Sequence, residues 1–86
     1  MNWVTSSGIT YLYLENNIFS FRKLTHTYYC ILKNHEHIAT CTSEEEAKRT
    51  ICKLALVALE EEKKAIEKEM EEINQLYQEI EQPCNG

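Results

Sequence analysis

Eighty-six residues and 10.1 kDa allow one domain or less, with no room for a cleft between two lobes. Nine basic side chains against fourteen acidic ones, all of them glutamate, set the formal charge at −5. That balance weighs against a basic nucleic-acid binder, and the two glycines and one proline weigh against a disordered chain or a Gly-rich phosphate-binding enzyme.

Charge is unevenly spread. Residues 1–42 carry three basic and two acidic side chains, whereas residues 43–86 carry six and twelve. The opening segment MNWVTSSGIT lacks the basic start and apolar run of a secretory signal, and no apolar run approaches the ~18 residues of a membrane span. A cytoplasmic chain with reduced thiols and no membrane partner is therefore expected.

Residues 1–42 read as strands, being rich in the β-branched and aromatic types that suit a pleated, half-buried surface. Trp3 and Val4 extend the sheet or cover one edge. Ile9 to Leu14 is the first clear strand, with turn chemistry in Glu15-Asn16-Asn17. Ile18 to Leu24 is the next, its Phe19 and Phe21 alternating with Ser20 and Arg22. Tyr28 to Lys33 and His37 to Thr42 follow, separated by Asn34-His35-Glu36. Such short connections favour an antiparallel meander of three to five strands, because parallel neighbours need a crossover of a dozen residues or more. An even loop places Cys30 and Leu32 opposite Ala39 and Cys41 on an apolar face, and an odd loop brings Ile38 there instead.

From residue 43 to 82 the pattern is one long helix. Ser43-Glu44-Glu45-Glu46 reads as a capping box, in which Ser43 accepts from the Glu46 amide and Glu46 reaches back. No glycine or proline intervenes before Pro83, which supplies a stop ahead of the polar tail 83–86. Glu44/Lys48, Glu45/Arg49 and Glu60/Lys64 are spaced for i,i+4 pairing. About forty residues at 1.5 Å each make a helix of about 60 Å, against strands of only about 20 Å, so the sheet can cover less than half of it. Ala47, Ile51, Leu54, Ala55 and Ala58 form the stripe expected to dock on the sheet, with Leu56 and Val57 broadening it.

From about residue 59 the apolar pattern narrows to a coiled-coil-like seam. Leu59 leads into Ile66, Met70, Ile73, Tyr77 and Ile80 at alternating four- and three-residue steps. The isoleucines then occupy d, Met70 and Tyr77 occupy a, and Lys63 is a polar interruption. Leu76 at g widens the stripe, while Glu60, Glu62, Glu67, Glu69 and Glu81 line its edges. Self-association through this seam is the expectation, as a homodimer or a larger oligomer. A basic protein is the second expected partner, met by an acidic surface of Glu62, Glu67, Glu69 and Glu72.

Catalytic signatures are absent: no G-x-x-x-x-G-K-[ST], H-E-x-x-H or G-x-S-x-G occurs, and there is no aspartate for a Ser-His-Asp triad. No catalytic residue, cofactor or metal ligand is assigned. Cys30, Cys41, Cys52 and Cys84 form no C-x-x-C pair; the first three read as small core hydrophobes and Cys84 as a tail thiol. His35 and His37 would share one side of an extended strand, which is too little for a metal site without a third ligand.

An alternative reading places a nucleic-acid or nucleotide face on the sheet, built from Tyr11, Tyr13, Arg22, Lys23 and Tyr29. The meander leading into Thr42–Lys48 is similar in topology to the three-stranded-sheet-plus-helix DNA-binding modules of integrase arms and plant AP2 domains. The basic sheet residues those modules use are largely lacking here. In size and charge the chain resembles accessory regulators and inhibitors of viral or mobile-element origin. The expectation is an α+β, non-enzymatic, protein-binding regulator that blocks its partner sterically and electrostatically.

Overall fold

In the computed structural model, which describes residues 1–81, five strands precede one helix. They are β1 (Val4–Ser6), β2 (Ile9–Tyr13), β3 (Ile18–Lys23), β4 (Tyr29–Lys33), β5 (Glu36–Cys41) and α1 (Glu44–Glu81). Strands run in the order β1-β2-β3-β4-β5, each antiparallel to its neighbour. The fold is thus the α+β meander that the short loops imply, with the segment after Trp3 supplying a strand of its own.

Two of the turns are two-residue hairpins with left-handed backbone at both central positions. Ser7 and Gly8 have φ of 52° and 80° between the Ser6–Ile9 pair, and Asn34 and His35 have 50° and 70° between Lys33 and Glu36. This backbone twists with the strands it joins, which is why tight hairpins select it. Asn34 suits it, and its side chain also ties the turn to β3. The Asn34 Oδ1 accepts from the Ile18 amide at 2.8 Å, and the Asn34 amide donates to the Ile18 carbonyl at 2.7 Å. His35, expected in the Asn34-His35-Glu36 connection, lies in this turn, so its two-residue spacing from His37 does not align the imidazoles on a strand.

Register decides which side chains face α1. Phe19, Phe21 and Ile31 share one face of the sheet with Leu12, Ala39 and Cys41. The β4–β5 loop is even, yet Ala39 and Cys41 do not lie opposite Cys30 and Leu32. Lys33↔Glu36 and Leu32↔His37 pair in one register, and Ile31↔Ala39 and Tyr29↔Cys41 in the next, with Ile38 skipped. This bulge moves the end of β5 by one residue and exchanges its faces. The sheet face toward the helix is consequently built on Ile31, while Cys30 and Leu32 belong to the opposite face.

The chain divides into two compact units, Met1–Ala55 and the segment from Leu56 onward, with α1 running through both. The first holds the hydrophobic core. Phe19, Ile31 and Ile51 are completely buried, and Ala47, Ile51 and Ala55 bring the opening turns of α1 into the same cluster as Leu12, Phe21 and Cys41. Alanine at two of those helix positions lets the backbone sit close to the sheet. Trp3 closes one side, edge-on to Phe21 at 6.0 Å between ring centroids, and the Lys48 ammonium lies 5.6 Å from the Trp3 ring.

The start of α1 is fixed by its cap. The Ser43 Oγ accepts from the Glu46 amide at 3.1 Å, and the Ala47 amide donates to the Ser43 carbonyl at 3.0 Å. The Glu46 carboxylate reaches one residue further back than a capping box requires, accepting from the Thr42 amide at 3.3 Å and the Thr42 hydroxyl at 3.0 Å. Glu44–Lys48 and Glu45–Arg49 form the expected ion pairs at 3.6 and 3.3 Å. Helix end, Pro83, Cys84 and the tail 83–86 lie outside the described residues. No helix among the described residues is long and apolar enough to cross a membrane.

Candidate functional site

The second unit is helical throughout its described length, 56–81. Every residue from 63 to 81 is exposed, including the apolar ones. Leu59, Ile66, Met70, Ile73, Leu76, Tyr77 and Ile80 keep between 44 and 80 % of their surface in solvent. Apolar residues scattered singly are ordinary on a surface, but six in heptad phase along one helix, with Leu76 beside them, make a continuous stripe.

Leu56 joins this stripe rather than the sheet-facing one. It is 67 % exposed and stands outside the core cluster, as does Val57. The signal was legible in the spacing, since Leu56 precedes Lys63 by one heptad. Position a is then Leu56, Lys63, Met70 and Tyr77, and position d is Leu59, Ile66, Ile73 and Ile80.

Nine glutamates and three lysines accompany the stripe between residues 56 and 81. The four acids expected to form one partner surface do not share a face. At roughly 100° of rotation per residue, Glu62, Glu69 and Glu72 lie within about 80° of arc, and Glu67 lies about 140° from Glu62 across the seam. One helix therefore offers two acidic flanks with the apolar stripe between them. Bringing Glu67 beside Glu62 and Glu69 requires a second helix.

The five residues of the alternative face also separate. Tyr11, Tyr13 and Arg22 lie on the sheet face away from the core, whereas Lys23 and Tyr29 pair with each other on the core side. Tyr11 and Tyr13 stack on one another at 5.6 Å and 19°, so their ring faces are partly occupied. Arg22 is the single cation these three positions offer to a phosphate chain. Nearby, Lys23, Leu24, Thr25 and His26 line a hollow open to solvent. The Thr25 hydroxyl there already accepts from the Thr27 and Tyr28 amides at 3.3 and 3.2 Å.

The cysteines differ from one another. Cys30 and Cys41 are buried, as their reading as core residues implies, but Cys52 is exposed on α1. Burial pushes the Cys41 thiol up, a backbone hydrogen bond from Ser43 opposes that shift, and the Glu46 charge adds to it. Among the described residues no group of three or more His, Cys, Asp or Glu side chains converges as a metal site would require.

Comparison with protein-family models, with curated proteins and with solved structures finds no match for this chain.

Proposed function

We propose that this chain is a small acidic protein-binding regulator that self-associates through the seam from Leu56 to Ile80 and obstructs a basic partner. The observation that carries the reading is the exposure of the seam itself, an apolar stripe in unbroken heptad phase apart from Lys63. Burying one large apolar side chain contributes about 1.5 to 3 kcal/mol, so seven of them can outweigh an association cost of about 4 to 15 kcal/mol. Pairing also brings the Glu67 flank of one helix beside the Glu62 and Glu69 flank of another. The acidic surface is then a property of the assembly rather than of one chain, and a cationic groove is the kind of site it fits.

Sedimentation equilibrium across a dilution series tests the self-association. A mass above one chain at micromolar concentration, abolished by Ile66→Lys with Ile73→Lys, is the expected outcome. A single-chain mass at all concentrations would remove the proposal. The nucleic-acid reading retains only Tyr11, Tyr13 and Arg22 on a common face, and a polarisation assay with single strands at low salt separates it from this one.

A further inference from the structure

Lys63 is the one position where the heptad pattern is interrupted, and its surroundings are specific. It stands at a, one residue after Glu62 at g and four before Glu67 at e. Both acids flank the seam, on opposite sides. We propose that the second copy seats on this seam in parallel and in register, and that Lys63 sets both the direction and the number of chains. This inference rests on the self-association proposed above.

Direction follows from comparing the layers each arrangement makes. In a parallel, in-register pair every a residue meets its own copy, so the two Lys63 side chains share one layer and every other layer from Leu56 to Ile80 stays apolar. The flanking positions of that layer are Glu62 and Glu67 from each chain, four carboxylates around two ammonium groups. What looks like a repulsive edge, Glu62 against Glu67 of the other helix, is thereby crossed by a cation. In the antiparallel pair with equal overlap, Leu56 lies opposite Ile80. Each Lys63 then packs against an Ile73, which spoils two layers instead of one. Glu67 meets Glu67 and Glu69 meets Glu69, with no lysine between them.

Number follows from the same position. β-Branched residues at d with unbranched or γ-branched ones at a favour bundles of more than two helices. Ile66, Ile73 and Ile80 at d with Leu56, Met70 and Tyr77 at a fit that pattern. A single lysine at a opposes it, because its ammonium must reach water or an acid and the a positions of a larger bundle are further from both. Lys63 thus holds at two chains a seam whose other residues would admit four.

The test uses the full chain with a nitroxide on Gln78→Cys in a Cys52→Ser, Cys84→Ser background. A parallel pair places the two labels within about 20 Å, whereas the antiparallel pair sets residue 78 opposite 58 and separates them by about 30 Å or more along the axis. The expected result is the short distance and a two-chain mass. Lys63→Leu should raise the mass toward four chains and tighten association at least tenfold, and Lys63→Arg should keep two chains. A long label distance, or a Lys63→Leu variant that keeps the two-chain mass and the wild-type affinity, overturns the inference and leaves self-association standing. A wild-type chain that never associates overturns both.

Discussion

Ile73 at the centre of the seam gives the sharpest test of what the exposed stripe does. Its side chain is 62 % exposed in the single chain, so association can remove at most that share of its surface from water. Full burial of an isoleucine is worth about 1.5 to 3 kcal/mol, which leaves roughly 1 to 2 kcal/mol per chain and roughly 2 to 4 kcal/mol per pair. Ile73→Ala retains the methyl at Cβ, so its loss falls at the lower half of that range, a factor of about 30 to 150 in Kd. The substitution should spare the first unit, because Ile73 takes no part in its core, and alanine is the better helix former. Sedimentation equilibrium or dilution calorimetry reads the Kd, with Gln75→Ala on the opposite side of the helix as the control. A Kd for Ile73→Ala within twofold of wild type, with Gln75→Ala equal to both, would show that the stripe is not the contact surface.

His35 holds a left-handed backbone in a two-residue hairpin, a conformation that costs an L side chain about 1 kcal/mol and glycine little. His35→Gly should therefore raise the urea midpoint by up to about 1 kcal/mol of stability; an unchanged or lowered midpoint refutes the turn argument. The Cys41 thiol is raised by burial, so the folded chain keeps its proton where the unfolded chain has lost it. Stability is fully present below about pH 9 and declines as pH rises through the folded value, and Cys41→Ala should flatten that decline in urea titrations from pH 8 to 11. Replacing Glu62, Glu67, Glu69 and Glu72 together by Gln should weaken capture of a lysine-rich peptide about tenfold at low salt and reduce its salt dependence, with helicity by circular dichroism unchanged. Equal capture by both forms would dismiss the electrostatic part of the proposed function.

Most of the fold is legible in the residues. Phe19 and Phe21 alternate with polar neighbours, Asn34 marks a hairpin, and Ser43 with three glutamates marks a helix start, and each does in the structure what its chemistry suggests. Sequence spacing is silent on the bulge at Ile38, because an unpaired residue leaves the alternation of β5 looking regular while reversing which residues face the core. In β4, Ile31 alternates with Cys30 and Leu32, all three apolar, so spacing alone does not tell which of them faces the core. Leu56 lies between two apolar patterns and fits both by spacing, so only its exposure decides that it belongs to the distal stripe. The acidic residues were easy to find and hard to group, since nearness in sequence says little about position around a helix.

The cap at Ser43 and the buried Ala47, Ile51 and Ala55 have a consequence for how the distal segment orders itself. Starting a helix is the unfavourable step, and adding residues to an existing one is nearly neutral or favourable. Here the first turns are already secured against the sheet, so residues 56–81 need only propagate. A synthetic fragment of those residues has no such seed, and it should be poorly helical and dimerise more weakly than the intact chain, for want of prior order rather than for want of contacts.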